Sequence, residues 1–269
     1  MAGGPAPSFQ RERRPMRPET KGAVIISGGG TGIGYATAEY LARLGCPLSI
    51  VGRRREVIER AAATLSETTG TDVIGLAEDI GTDGAAERIV AGHLARHGAL
   101  SGLVSAAGVY EQISFLDMTA GAWDRINSAN LRGSFLLSLA AARTMAPAGA
   151  GRIVLIGSVL HAAAEPMTSA YSVTKAGMSA LVRGMAVDLA PTGVRVNCVA
   201  PGWVRTPIAA AEIDAFPPEA MVRINPLGRA ADPAEIASVV AYLLRDAPDF
   251  LTGQTICVDG GQTARAATL

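Results

Sequence analysis

Tyr171 and Lys175 stand four residues apart in SAYSVTKAGMSALVRGMAVDLA, the stretch from Ser169 to Ala190. Four residues is about one helical turn, so phenol and ammonium project from the same face. A phenol ionises near pH 10 and holds its proton too tightly to shuttle it near neutrality. An ammonium one turn away favours the phenolate and should lower that value toward the working range. Ser158 ends the apolar run GRIVLIGS, where a small hydroxyl can bond and position a substrate oxygen. His161 follows closely and could touch the substrate as well. Plainer readings stay open: a surface Tyr–Lys pair, a serine that only ends a strand, a loop histidine that only packs.

The surrounding elements must bring such residues together. From residue 22 the pattern alternates strand and helix: GAVIIS, then YATAEYLARLG; PLSIVG, then REVIERAAATLSETTG; TDVIGLAEDI, then GAAERIVAGHLARHG. LSGLVSAAG follows, then a long helix around 119–146, GRIVLIGS, the helix of Tyr171, GVRVNCVAPG, PAEIASVVAYLLRD and QTICVDGG. Continuous apolar strands alternating with helices imply βαβ units, and so an α/β fold with a doubly wound parallel sheet of Rossmann type. The reading is one domain over 21–269, a flexible arm over 1–20, and a mobile substrate lid over about 206–225. The lid is largely apolar and, with Leu160, Met167 and Trp203, predicts a mostly apolar substrate pocket. His93 and His97 fall on a helix expected to be exposed and inert.

The first strand runs into SGGGTGIGYATAEYL, with Gly28, Gly32 and Gly34 where strand turns into helix. That placement suits the approach of a pyrophosphate to backbone N–H groups at a helix N-terminus. The second strand ends IVGRRRE, with no carboxylate to accept from a ribose 2′-hydroxyl. Arg53 and Arg54 instead offer guanidinium groups to a 2′-phosphate, which points to NADP(H). Arg55 reads equally well as a solvated helix start.

Lys plus Arg equals Asp plus Glu at 24 each, which argues against a nucleic-acid or acidic-membrane binder. No cluster has metal-ligand spacing, so no metal is expected. Cys46, Cys198 and Cys257 lie in apolar stretches without CxxC spacing and read as buried free thiols in a reducing, cytoplasmic setting. No apolar segment is long enough to span a membrane.

The ordered set of motifs resembles the short-chain dehydrogenase/reductase superfamily. It comprises the glycine segment, EDI at 78–80, SAAG at 105–108, Asn130 in NSANLRGSF, Ser158, YSVTK, PGWVRTP and TGQTICVDGG. The resemblance covers about residues 20–265 and is nearest the branch of 3-oxoacyl-carrier-protein reductases and gluconate or glucose dehydrogenases. It implies Asn130, Ser158, Tyr171 and Lys175 as catalytic residues, with Asn130 anchoring a water relay and Lys175 also holding the nicotinamide ribose. It implies cofactor contacts from Gly28, Gly30, Thr31, Gly32, Ile33, Gly34, Arg53, Arg54, Asp79 and Ile80. Ala106, Ala107, Gly108, Tyr171, Lys175, Pro201, Gly202, Val204 and Thr206 complete that set. Asp79 and Ile80 fall to adenine and Thr206 to the carboxamide. Ser158, Tyr171, His161 and Trp203 face the substrate. The implied activity is NADP(H)-dependent hydride transfer between nicotinamide and a ketone or secondary alcohol.

Two alternatives stand beside it: an NAD(H)-dependent alcohol or polyol dehydrogenase, and a catalytically weak NADP(H)-sensing regulator. The implied assembly is a homotetramer formed through the helices around 119–146 and 170–190 and the last strand. One stretch departs from the family. Ser105-Ala106-Ala107-Gly108 stands where the family carries Asn-Asn-Ala-Gly, so the hydrogen bonds those asparagines give the sheet and cofactor pocket must differ here.

Overall fold

The computed structural model describes residues 22–264, apart from the side chain of Pro218. The predicted arm over 1–20 lies outside the described residues.

Seven strands form one parallel sheet: β1 (Ala23–Ser27), β2 (Leu48–Gly52), β3 (Val73–Ala77), β4 (Leu100–Ser105), β5 (Gly151–Ile156), β6 (Val194–Pro201) and β7 (Thr255–Val258). Their order is β3-β2-β1-β4-β5-β6-β7, so the winding reverses between β1 and β4. A doubly wound sheet opens a crevice at such a switch point, beyond the carboxyl ends of the strands. Successive side chains of a strand point to opposite faces. Val24 and Ile26 of β1 accordingly join the core under one helical layer, and Ile25 joins the core under the other.

The described residues form nine α-helices, α1 (Gly32–Arg43), α2 (Arg55–Thr69), α3 (Ala85–His97), α4 (Ala120–Asn127), α5 (Gly133–Met145), α6 (Ser169–Leu189), α7 (Ala210–Ala215), α8 (Pro218–Ile224) and α9 (Pro233–Arg245). α9 starts on a capping box in which Asp232 and Glu235 reciprocally satisfy backbone donors, with Pro233 at its first position. The segment expected as a lid folds as α7 and α8.

Four expectations are corrected. The long helix over 119–146 is two helices joined by a π-helical turn, Ser128–Arg132, which holds the buried Asn130. Such widened turns redirect side chains out of the regular helical register and recur at functional sites.

His93 and His97 are not exposed. On α3 they continue the stripe of Ala86, Ile89 and Val90 at three- and four-residue spacing, so the inward face takes them in. The His93 Nδ1 lies 2.8 Å from the Ser49 hydroxyl and its Nε2 3.1 Å from the Ala99 carbonyl. His97 Nε2 lies 3.2 Å from the Leu48 carbonyl.

All three cysteines are free, but only Cys198 is buried. Cys257 is exposed because β7 is the edge of the sheet. The fourth correction concerns Met167, which is exposed and does not line the cavity holding Tyr171.

Candidate active site

The carboxyl ends of β1, β4, β5 and β6 meet at one cavity. It is lined by the glycine turn of β1–α1, by residues 106–110 at and after the end of β4, by 156–160 at and after the end of β5, by Tyr171 and Lys175 of α6, and by 201–204 and 206–209 at and after the end of β6. A second cavity continues it toward β2 and β3 and is lined by Gly30, Arg53, Arg54, Glu78, Asp79 and Ile80. Gly28, Thr31, Ala107, Gly108, Val109 and Tyr110 belong to both, so the two form one groove. The topology thus gathers nearly all of the predicted site residues, although they come from seven separate segments.

The glycines are explained by space and backbone. Gly28 has φ of 69°, and a Cβ there would sit 2.8 Å from the Ala107 nitrogen. Gly32 has φ of 57°, with the Thr206 methyl 3.3 Å from where a Cβ would stand. The turn therefore presses against both the β4 loop and the start of the α7–α8 segment, and leaves α1's first N–H groups facing the groove.

Ser105 and Ala106 occupy the family's asparagine positions, and hydroxyls supply the bonds. The Ser27 Oγ accepts from the backbone N–H groups of Ala106 and Ala107, each at 3.2 Å. It lies 3.4 Å from Ser105 Oγ, which donates to Ser134 Oγ at 3.0 Å. Ser134 in turn donates to the Asn130 carbonyl at 2.7 Å. These buried hydroxyls form one directed chain that ties β1, β4 and α5 together behind the groove.

Asn130 is held by the same chain. Its amide accepts from the Val109 N–H at 2.7 Å and donates to the Val109 carbonyl at 3.0 Å and to Thr174 Oγ1 at 3.2 Å. Thr174 Oγ1 donates to the Tyr171 carbonyl at 2.7 Å. Asn130 thereby fixes both the loop that lines the groove and the first turns of α6.

Tyr171 and Lys175 lie on one face of α6 as the spacing predicts, with the ammonium 5.4 Å from the phenol ring centre. The expected electrostatic direction is reversed in the protein by itself. Burial holds the Tyr171 phenol up at about 12, and the nearby Ser158 hydroxyl, hydrogen-bonded to it, pulls the other way. Burial likewise pushes Lys175 down to about 8. Lys175 Nζ donates to the Ile156 carbonyl at 2.8 Å. Burial is the largest influence on both groups, which sit at the sheet's end rather than on an exposed turn.

Ser158 Oγ accepts from the Leu160 N–H at 3.1 Å, which leaves its own proton to donate. His161 folds back, its Nδ1 2.8 Å from the Ser158 carbonyl, and does not line the cavity. Trp203 does, with Phe216 of the next segment edge-on to it at 5.1 Å.

Two polar residues lining the inner cavity are not evident from the sequence. Tyr110 stands edge-on to Tyr171, ring centres 5.1 Å apart. Glu165 puts a carboxylate into a pocket expected to be apolar. Neither lies in a spaced motif, and only the fold brings them to Tyr171. Among the described residues no group of three or more His, Cys, Asp or Glu could hold a metal, and no helix is long and apolar enough to cross a membrane.

Comparison with known proteins agrees with this geometry. The family model described as enoyl-(acyl carrier protein) reductase matches residues 28–263. Cis-4-hydroxycyclohexanecarboxylate dehydrogenase of Sinomonas cyclohexanicum is 35% identical over 241 residues, covering 89% of this chain and 96% of that protein. Levodione reductase of Leifsonia aquatica is 33% identical, covering 91% of this chain and 95% of that protein. A crystal structure of levodione reductase superposes with a TM-score of 0.87 at 32% identity, covering 93% of this chain and 100% of that one. The chain belongs to the short-chain dehydrogenase/reductase superfamily, oxidoreductases that act on alcohol and ketone substrates with nicotinamide cofactors.

Proposed function

We propose that the protein is an NADP(H)-dependent oxidoreductase that interconverts a small ketone and its secondary alcohol, with Tyr171 as the general acid and base. The observation that carries this reading is the meeting of Tyr171, Ser158 and Lys175 in one cavity continuous with the glycine turn.

The groove fits a nicotinamide dinucleotide. Its glycine turn leaves a cradle that a Cβ would fill, and α1 presents its N-terminus there. Gly28, Gly30, Thr31, Gly32, Ile33 and Gly34 would hold the pyrophosphate region, Asp79 and Ile80 the adenine, and Lys175 the nicotinamide ribose. Ala106, Ala107, Gly108, Pro201, Gly202, Val204 and Thr206 would wall the nicotinamide side. When bound, the cofactor supplies or accepts the hydride.

Arg53 and Arg54 support the phosphorylated form. Both line the outer cavity, and Arg54 has no ion-pair partner among the described residues. Arg53 reaches only a long contact, 3.9 Å, with Asp79. Their cationic charge suits a 2′-phosphate better than a diol.

The chain's own part is proton handling. A phenol held at about 12 stays protonated at neutral pH, so Tyr171 is in the donor form and gives up its proton only as negative charge grows on the carbonyl oxygen during hydride transfer. Ser158 donates to the same oxygen and holds it in place. As Tyr171 releases its proton, the Lys175 ammonium stabilises the phenolate. In the oxidation direction the phenolate takes the proton back. Asn130 acts through Val109 and Thr174 as a positioning residue.

A homotetramer is part of the reading. Trp123 of α4, Phe135 of α5, and Val173 and Val187 of α6 are exposed, as is Phe250 just before the edge strand β7. A second copy would cover those apolar groups.

Tyr171→Phe tests the assignment. It should bind NADPH as the wild type does and lose about 10²–10⁴-fold in kcat. More than about a tenth of wild-type kcat remaining would remove Tyr171 from the reaction, since loss of general acid–base catalysis costs more than that.

A further inference from the structure

The substrate end of the groove carries a carboxylate that the proton chemistry does not use. Glu165 comes from the β5–α6 loop, the same loop that supplies Ser158, and lines the cavity with Tyr110, Leu160, Tyr171, Trp203 and Ile208. Its backbone is pinned. The Glu165 N–H donates to Thr168 Oγ1 at 3.1 Å, and the buried Thr168 hydroxyl donates back to the Glu165 carbonyl at 2.8 Å. Within this turn Met167 adopts φ of 64°, a left-handed backbone uncommon for a non-glycine residue. The Met167 carbonyl accepts from the Ile113 N–H at 2.8 Å, which stitches the turn to the loop that bears Tyr110. A strained, twice-tethered turn therefore sets where this carboxylate stands.

Glu165 is under-partnered for a half-buried anion. The Trp203 indole is the donor that reaches it, and no cation pairs with it among the described residues. A carboxylate offers about four acceptor positions, so most are left to whatever enters the cavity. A second carboxylate, Glu212 of α7, is near enough for its charge to act on Glu165. Gln112 Nε2 donates to Glu212 at 3.0 Å and to the Tyr110 hydroxyl at 2.9 Å. Burial and the charge of Glu212 both hold the Glu165 carboxyl up, and the Trp203 indole opposes them. Lys175, the cation among the lining residues, lies below Tyr171 with its ammonium on the Ile156 carbonyl, and no ion pair joins it to Glu165 among the described residues. The substrate end is thus acidic, although the protein as a whole is neutral.

Resting on the oxidoreductase reading, we propose that Glu165 is a substrate-recognition residue: it accepts a hydrogen bond from a second donor on the ketone or alcohol, a hydroxyl or ammonium, and rejects substrates bearing a carboxylate or phosphate there. Two physical effects act together. The donor satisfies a carboxylate that is otherwise left with free acceptor positions in a low-dielectric site. An anion at the same position meets the Glu165 charge at short range, with Glu212 adding to the repulsion.

A matched set of three ketones tests this with the full-length protein and NADPH: cyclohexanone, 4-hydroxycyclohexanone and 4-oxocyclohexanecarboxylate. The expected wild-type order of kcat/KM is hydroxyl-bearing, then unsubstituted, then carboxylate-bearing, with about 10–100-fold between first and last. Glu165→Gln keeps the shape and removes the charge. It should raise the carboxylate-to-hydroxyl ratio of kcat/KM by about tenfold or more, and Glu212→Gln should shift it the same way by less. NADPH binding, followed by fluorescence, verifies that each variant is folded.

Equal use of all three ketones by the wild type, or a ratio unmoved in folded Glu165→Gln, overturns the recognition role and leaves the oxidoreductase reading intact. If all three ketones fail with the wild type while other ketones in a broad panel are reduced, the proposed substrate class is overturned alone. Failure of every ketone with both NADPH and NADH overturns the oxidoreductase reading and this proposal together.

Discussion

Replacing Arg53 with Ala should cut kcat/KM for NADPH by about 5–60-fold and leave kcat/KM for NADH within about twofold. The figure follows from what surrounds the guanidinium. A charge-assisted hydrogen bond to a phosphate contributes roughly 1.5–3 kcal/mol. Against this stands the ion pair Arg53 already makes, 3.9 Å from Asp79, with side chains 62% and 40% exposed. Exposed pairs at that separation are worth about 0–1 kcal/mol. Taking the middle of that range, about 0.5 kcal/mol, the difference is about 1–2.5 kcal/mol, and about 1.4 kcal/mol is a factor of ten. Exposure of Arg53 favours the lower half of the range, and raising the salt concentration should shrink the NADPH preference further.

Asp79→Asn works from the other side of the contact. It frees Arg53 and should raise kcat/KM for NADPH by at most about fivefold. The assay is steady-state reduction of one ketone with each cofactor, followed by loss of reduced-nicotinamide absorbance. A wild type that uses NADH at least as well as NADPH refutes the reasoning. The arginines after Gly52 would then be a solvated helix start, and Asp79 would be the acceptor for the ribose.

Acid should loosen the fold through His93, which burial holds down at about 4 against 6.5 in an unfolded chain. Its contribution is present above pH 6.5 and is lost as the pH falls toward 4, by on the order of 2–3 kcal/mol. Urea midpoints measured across that window should fall in the wild type and fall less in His93→Leu; parallel curves would count against the histidine. For the assembly, light scattering at micromolar concentration should give four times the chain mass, and a monomer would refute the homotetramer.

Much of the site was legible because its chemistry is tied to local structure. Tyr171 and Lys175 share a face by helical spacing alone, and the glycine turn must sit where the first strand meets the first helix. Ser158 ends a strand by its position in an apolar run. The winding of the sheet follows from strands that alternate with helices, since only buried parallel strands read as unbroken apolar segments. The burial of His93 and His97 is masked in the sequence because a histidine counts as polar in a pattern, although their spacing places them with Ala86, Ile89 and Val90.

The fold class, the order of the strands and helices, and the shared helical face of Tyr171 and Lys175 are legible in the sequence alone. Those depend on periodicity and on neighbours within a turn. Tertiary structure decided the electrostatics. Whether the ammonium lowers the phenol or burial raises it depends on how far both are withdrawn from water, and that depth is set by strands remote in sequence. It also decided that Ser27, Ser105 and Ser134 replace the missing asparagine bonds, since three hydroxyls from β1, β4 and α5 meet only after the sheet closes. Glu165 and Tyr110 come from loops whose conformation no local pattern dictates. They reach Tyr171 because Thr168 and Ile113 tie those loops to each other and to the start of α6.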